Sequence, residues 1–215
     1  MEIRRIISLG RSSFVVSLPR EWLEFHKLKK GDAISISVRR DGSLVLSPAS
    51  FSEKEDKHVE ITIGKDEQFA SLSRKIIACY LNGYKSIVVK SDGVLSPSQQ
   101  KGIRKVARML YLRIMEATSK YMYLEATLDE AKVSLNMSVR RMHSVTYSMC
   151  ESVVKALEEG TLDVARSVYT LDDDVDHFSF FLMRVLKKAA QDPLLAEKLN
   201  IDVADCLDYQ TLVSK

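Results

Sequence analysis

The 215-residue sequence is short of cysteine and has no long apolar run. Its three cysteines, Cys79, Cys150 and Cys206, are far apart and odd in number, which favours small reduced core residues over a disulfide framework or a zinc site. No apolar stretch approaches the roughly 18 residues of a membrane-spanning helix. The opening MEIRRIISLG lacks the apolar core of a signal peptide. We therefore expect a cytoplasmic protein that is not inserted in a membrane.

The charge of the chain is nearly balanced overall but unevenly distributed. Its formal net charge is +3. The first 50 residues carry nine Lys or Arg against five Asp or Glu, whereas the rest carries 23 against 24. The positive excess therefore lies in the opening segment, where we expect an anionic partner to bind.

The opening segment has the pattern of a small β unit. Apolar residues alternate with smaller or polar neighbours over 14–18 and 34–38, as in half-buried strands. Pro19 between them can start a short helix, and Asp41-Gly42 separates two apolar runs as in a β-hairpin. The predicted order is strand, strand, helix, strand, strand. So small a unit has long edges and little core, and we expect a second copy to close it.

The same residues resemble the AbrB/SpoVT swapped-hairpin domain, in which two chains interlock to form one DNA-binding barrel. The resemblance covers residues 3–48 and depends on a GRSS turn, FVVSLPREWL, LKKGD and the final Asp-Gly hairpin. It implies a domain over 1–50 that binds double-stranded DNA as a homodimer. Arginine bonds phosphates or guanine edges bidentately, and serines bond phosphate. The implied DNA-binding residues are Arg4, Arg5, Arg11, Ser12, Ser13 and Arg20. A solvated charged surface is the alternative.

The middle of the chain predicts a small α/β domain. Residues 49–57 are small, polar and charged, as in a linker. Short apolar strands then alternate with amphipathic helices, which predicts a βαβαβ domain over 58–129 with parallel strand pairs. The second helix, over 96–114, begins with Ser96 as its cap. No glycine-rich phosphate loop is present, so we expect neither a nucleotide site nor an organic cofactor.

From about residue 130 the pattern is helical. Apolar residues recur in alternating steps of three and four along two segments, and Gly160 separates them. A third helix is predicted from about Asp202. Two long helices with a short turn form an antiparallel hairpin whose seam needs another partner, so this segment predicts part of an up-and-down bundle.

The second of these helices carries the acidic run TLDDDVDHF. Asp172 and Asp176 are four residues apart and share a helix face, with Asp173 beside them. Like charges at this spacing repel by a few tenths of a kcal/mol, and a bound cation would offset the repulsion. A solvated acidic face explains the pattern equally well. Asp174-x-x-His177 has the spacing of di-iron ligands, but bundles of that type need two copies. Catalysis is not predicted.

The helical segment resembles the first repeat of PhoU, the phosphate-homeostasis regulator, over about 130–215. The resemblance depends on VYTLDDDVDHFSFFL and LLAEKLNIDVADCLDYQTLVSK. An AbrB-like domain followed by PhoU-type helices resembles a form common in archaea. PhoU bundles hold metal ions through an acidic DxxxD motif, which Asp172 and Asp176 match. The resemblance therefore implies a divalent or iron-type metal ion at Asp172, Asp173 and Asp176. It also implies an incomplete domain, which lacks the second acidic motif and most of the third helix.

Together these patterns predict a multidomain α+β protein: a swapped-hairpin β barrel, a βαβαβ domain and a partial PhoU-like bundle over 130–215. The predicted function is a DNA-binding transcriptional regulator of phosphate uptake. The alternative is a PhoU-type adaptor that binds phosphate transporter subunits or a sensor kinase, with the barrel serving only to dimerise.

Overall fold

The computed structural model describes residues 2–38, 42–49 and 56–214. The chain divides into two compact units, Met1–Glu55 and Asp56–Lys215. The boundary between them falls inside the predicted linker. The further division of the second unit near residue 130 stays a prediction.

The first unit contains two β-hairpins separated by a short helix. Its elements are β1 (Ile7–Leu9), β2 (Ser13–Val15), α1 (Arg20–Phe25), β3 (Ile34–Val38) and β4 (Leu44–Pro48). β1 pairs antiparallel with β2, and β3 with β4. The predicted order of strands and helix is confirmed. The turn of the second hairpin includes residues 39–41, which lie outside the described part of the chain.

The first unit has almost no core of its own. Pro48 is its one buried residue among those described. Large apolar side chains on both hairpins and on α1 are exposed instead, including Ile7, Leu9, Phe14 and Phe25. An isolated two-stranded hairpin is marginally stable in water, so these surfaces need further apolar contacts.

The second unit begins with a four-stranded mixed sheet. Its elements are β5 (His58–Ile63), α2 (Phe69–Leu81), β6 (Ser86–Ser91), α3 (Pro97–Met109), β7 (Leu112–Ala117) and β8 (Tyr121–Ala126). The strand order is β5-β6-β8-β7, in which β5 and β6 are parallel and the other two pairs are antiparallel.

The predicted βαβαβ pattern was wrong at one point, because the last part of the predicted helix 96–114 is a strand. α3 ends at Met109, Tyr111 adopts the left-handed conformation (φ 52°), and Leu112 begins β7. A short apolar run does not distinguish helix from strand by its periodicity, and the pairing of β7 with β8 decides it. Parallel pairing was therefore correct only for β5 and β6.

One face of the sheet packs against α2 and α3. Alternate strand residues such as Ile63, Ile87 and Leu124 are fully buried there, together with Leu72 of α2 and Ile103 of α3. This two-residue alternation is typical of a sheet covered on one face.

The rest of the second unit is helical. A 3-10 turn (Glu130–Lys132) leads into the remaining helices, which are α4 (Leu135–Glu159), α5 (Leu162–Ala189), α6 (Pro193–Leu199) and α7 (Val203–Val213). Gly160 is left-handed (φ 63°) and closes the α4–α5 hairpin. The two long helices and the start of the third near Asp202 are confirmed. α6 was not predicted.

The α4–α5 hairpin is well packed only at one end. α7 lies against that end, where Leu135, Leu182, Leu186 and Val213 form a buried cluster. Toward Gly160 the hairpin instead has an open groove of about 450 Å³, which is lined by Met149, Val153, Ala156, Leu157, Gly160, Thr161, Leu162, Val168, Tyr169 and Asp172. The described part of α7 does not reach this groove.

Arg184 of α5 joins the helices to the sheet layer. Its side chain is buried and donates from Nε to Glu130 Oε1 (2.9 Å) and from one terminal nitrogen to the carbonyls of Tyr80 (2.5 Å) and Tyr84 (2.9 Å). Lys188 adds an ion pair to Glu130 Oε2 (3.3 Å). Polar contacts therefore connect α5 with the end of α2 and with the 3-10 turn.

All three cysteines are free. Cys206 is buried and Cys79 half-buried, but Cys150 is exposed, so the expectation of a core residue was wrong there. Within the described ranges, no helix is both long and apolar enough to span a membrane.

Candidate nucleic-acid interface and acidic helix face

The tip of the β1–β2 hairpin presents three of the predicted DNA-binding residues to solvent. Gly10 adopts the left-handed conformation (φ 74°) that the tight turn after Leu9 requires. Arg11 and Ser12 complete the turn, Ser13 begins β2, and all three side chains are exposed. A guanidinium and two hydroxyl groups therefore lie together at one exposed turn.

The other three predicted residues differ in how freely they can reach a ligand. Arg5 is exposed. Arg20 is also exposed, and its Nε donates to Glu24 Oε1 (2.8 Å) one helical turn away. Such an exposed pair contributes about 0.3–0.5 kcal/mol, so phosphate can displace Glu24 at little cost.

Arg4 is more constrained than Arg5 and Arg20. Its guanidinium donates to Ser17 Oγ (2.8 Å) and to the carbonyl of Leu18 (3.4 Å), and it pairs with Glu2. These bonds tie the start of the chain to the segment after β2. The geometry therefore supports Arg5, Arg11 and Arg20 more strongly than Arg4, and all six DNA contacts stay predictions.

The acidic run lies on the N-terminal half of α5, where Asp172, Asp173, Asp174 and Asp176 are all exposed. The pKa of Asp176 is raised, first by its partial burial and then by repulsion from Asp172 and Asp173. The carboxylates are thus close enough to interact electrostatically.

The ligands for a metal ion are incomplete in this arrangement. Successive helix residues differ by about 100° around the axis, so Asp176 has Asp172 and Asp173 as its i−4 and i−3 neighbours, whereas Asp172 and Asp173 diverge from each other. Among the described residues, no group of three or more His, Cys, Asp or Glu side chains is placed to hold a metal ion. His177, the other potential ligand, packs its ring edge-on against Tyr111 at 5.3 Å between centroids. Metal binding therefore stays a prediction.

Two family models match the chain. Residues 7–54 match the model described as "Antidote-toxin recognition MazE, bacterial antitoxin", which has the AbrB-like swapped-hairpin fold, and residues 139–210 match the PhoU domain. One segment of the chain is thus similar to MazE antitoxins, and a later one is similar to the PhoU domain. We call residues 7–54 the MazE-type segment and residues 139–210 the PhoU domain. No curated protein and no solved structure matches it.

The matches confirm both resemblances inferred from the sequence. The MazE-type segment includes β1 to β4, and the PhoU domain includes most of α4 together with α5, α6 and most of α7. The sheet of β5 to β8 lies outside both models. Neither model supports the expectation of an archaeal form. Sequence reasoning also missed a set of exposed cations on α3, although their spacing is visible in the sequence: Lys101, Arg104, Lys105 and Arg108.

Proposed function

We propose that the chain is a cytoplasmic transcriptional regulator of phosphate uptake that binds double-stranded DNA as a homodimer through its MazE-type segment. The observation that carries the proposal is the presence of this segment and a PhoU domain in one chain. Neither family is enzymatic, so the chemistry required is binding. The description of the first model names toxin recognition, whereas the attached PhoU domain favours phosphate-related regulation.

The exposed apolar surface of the first unit supports the homodimer. β1, β2 and α1 expose Ile7, Leu9, Phe14 and Phe25, and the unit buries little by itself. Apolar burial stabilises by about 25 cal/mol per Å², so a second copy packed on this surface provides the core that one copy lacks. A closed barrel would also pair the strand edges that are open in one copy.

The DNA-binding proposal is tested by fluorescence anisotropy of the full chain with duplexes from upstream of its own gene and of phosphate-transport genes. Arg11→Ala removes the cation at the hairpin tip, so we expect a loss of specific binding of roughly 5- to 150-fold, since a bidentate arginine contact is worth about 1–3 kcal/mol. Arg140→Ala, which removes an exposed cation from α4, is the matched control and should bind normally. Equal affinity for these duplexes and a random duplex would contradict the proposal.

The open groove on the PhoU domain favours a second candidate function, an adaptor for phosphate transporter subunits or a sensor kinase. The groove is largely apolar, and two of the residues that line it, Leu157 and Tyr169, are each 79% exposed. Large exposed apolar patches commonly mark protein interaction sites.

The adaptor function is tested by co-purification of a phosphate transporter ATPase with the full chain. Leu157→Asp and Tyr169→Asp should abolish this association, whereas Met137→Asp, which alters an exposed apolar residue of α4 outside the groove, should not. ATPase association without any preference for the duplexes would favour the adaptor. Loss of association in all three variants would point to general damage to the helices.

We extend the proposal to a coupling in which an effector or partner bound at the helices changes the affinity of the first unit for DNA. The domain order supports this coupling, because the match to the PhoU domain follows the MazE-type segment, which is the proposed DNA-binding part. The duplex titration is repeated with phosphate, with a divalent cation and with the transporter subunit. Identical dissociation constants under all conditions would exclude coupling to these three ligands.

A further inference from the structure

α3 exposes a row of basic side chains that the proposed function does not use. Lys101, Arg104, Lys105 and Arg108 are all exposed and follow the i, i+3, i+4, i+7 spacing of one helix face. We call these four residues the α3 basic stripe. The opposite face packs on the sheet and on α2 through Gly102, Ile103, Val106 and Ala107, which are buried.

In the part of the chain that the structure describes, no acidic side chain is paired with the stripe. α3 contains no Asp or Glu, and within the described ranges none of the four cations forms an ion pair or a side-chain hydrogen bond. Other lysines of the same unit are paired, since Lys75, Lys85 and Lys90 contact Glu67, Asp56 and Glu60.

The stripe does not stabilise the fold. Lys101 and Lys105, like Arg104 and Arg108, are four residues apart, and like charges at this spacing destabilise a helix by about 0.2–0.5 kcal/mol per pair. The helix dipole favours only Arg108, which lies in the last turn. The stability of α3 comes instead from its buried face and from the capping box of Ser96 and Gln99.

We infer that the α3 basic stripe binds the phosphate backbone of duplex DNA, in addition to the contact proposed for the first unit. Protein–protein interfaces have an apolar centre and are depleted in lysine. α3 exposes no large apolar side chain. Nucleic-acid interfaces are more polar and much more positive. Ser98, which is exposed three residues before Lys101, adds a hydroxyl of the kind that bonds phosphate.

The size of the stripe fits a short length of duplex. Residues 101–108 extend about 10 Å along the helix axis, enough for roughly two to four phosphates of one strand, which carries one charge per about 3.4 Å. Phosphate contacts position a protein but do not read sequence. The inference therefore rests on the proposed function for specificity. Because both units belong to one chain, DNA bound by one unit has a raised local concentration for the other.

At the C-terminal end of α3, the acidic run of α5 limits how far bound DNA can extend along the basic stripe. Tyr111, two residues beyond α3, contacts the His177 ring. Burial raises the pKa of Tyr111, and the nearby charge of Asp174 raises it further. Asp174 would repel phosphate at this end of the stripe, where Arg141 opposes it only in part, so we expect a duplex to extend toward the N-terminal end of α3.

The test compares the salt dependence of DNA binding by the full chain and by a variant that combines Lys101→Gln, Arg104→Gln and Lys105→Gln. Each lost phosphate contact should reduce the slope of log K against log salt by about 0.9, so we expect a decrease of about two to three and at least a tenfold loss of affinity at low salt. Specific and random duplexes should weaken by the same factor. Circular dichroism and thermal unfolding check that the variant folds.

A matched control variant removes the same number of positive charges from other positions in the second unit. It combines three exposed positions: Lys120→Gln, Arg140→Gln and Lys198→Gln. An α3 variant whose slope and affinity equal those of this control would overturn the inference while leaving the proposed function intact.

Two further outcomes separate the inference from the proposed function. If the wild-type chain binds all duplexes equally and the α3 variant loses that binding, the inference stands and the sequence-specific regulator does not. If polyglutamate binds the wild-type chain but not the α3 variant, and duplex binding is the same in both, the stripe recognises an acidic protein and the inference is wrong.

Discussion

At the scale of single residues, Arg184 shows why a buried charge is retained in the second unit. Its side chain is only 4% exposed, and its guanidinium lies over the Tyr80 ring at 4.7 Å. Burial by itself would raise the pKa of Glu130, but the hydrogen bond and charge of Arg184, with Lys188, hold this pKa below its usual value. Each residue of the pair therefore neutralises the charge of the other, which folding has removed from water.

Arg184→Met should destabilise the second unit by about 3–5 kcal/mol, because it leaves the Glu130 carboxylate half-desolvated without its main partner. The measurement is urea unfolding at pH 7. Lys187→Met is the control. Lys187 lies on α5 like Arg184, and the change removes only an exposed hydrogen bond to Asn82 at the end of α2, so it should cost less than about 1 kcal/mol. Adding Glu130→Leu to Arg184→Met should recover much of the loss, and a double variant no more stable than the single one would contradict the pairing argument.

The same pair predicts how stability depends on pH. A carboxyl group whose pKa is depressed in the folded state stabilises above its unfolded pKa of about 4.5, and this contribution is lost as the pH falls through the folded pKa. Wild-type stability should therefore decrease below about pH 4.5. In Arg184→Met the main group that lowers the pKa of Glu130 is gone, and only Lys188 and a backbone hydrogen bond still oppose the effect of burial. The part of the stability that Glu130 contributes, and that is lost as the pH falls, should therefore be smaller in this variant.

At the scale of elements, α7 decides which part of the α4–α5 hairpin becomes core. Its Tyr209 donates to Asn136 of α4 (3.0 Å), and Ser179 of α5 donates to the carbonyl of Val213 (3.1 Å). Beyond these contacts, Thr146 and Val153 of α4, which continue the steps of three and four along the helix, are exposed. The periodicity identified the face of each helix correctly, but only the packing of a third helix buries that face.

Asp176 tests the electrostatics of the acidic run on α5. Its raised pKa should appear as a titration midpoint above 3.8 in carboxyl NMR. Asp172→Asn should lower that midpoint by removing a repelling charge one turn away, whereas Asp208→Asn on α7 should not. Millimolar Mg²⁺ should lower it as well if the carboxylates hold a cation. A midpoint that does not respond to Mg²⁺ would count against the metal prediction.

At the scale of the whole molecule, the two units differ in how they obtain a core. The sheet and helices of the second unit bury their own apolar faces, whereas the hairpins of the first unit expose theirs. Folding of the first unit should therefore depend on association.

The only tryptophan, Trp22, lies in the first unit and reports on this difference. Unfolding followed by Trp22 fluorescence should shift to higher denaturant as protein concentration increases, because two copies share one core. Far-UV circular dichroism, dominated by the helices of the second unit, should show a transition independent of concentration. Phe14→Asp, which places a charge on the exposed apolar surface, should abolish the concentration dependence of the fluorescence transition. A fluorescence transition independent of concentration in the wild-type chain would show that the first unit folds alone.

Most helices and strands could be predicted from the amino-acid sequence, because strand alternation, helical periodicity and turn residues such as Gly10 and Gly160 act locally. It also identified both families, since their motifs are short and continuous. Three features became evident only in the folded protein: residues 112–117 form a strand, Arg184 and Glu130 meet, and the cations of α3 have no acidic partner among the described residues. Each of these depends on contacts between residues distant in sequence, and no local pattern encodes those contacts.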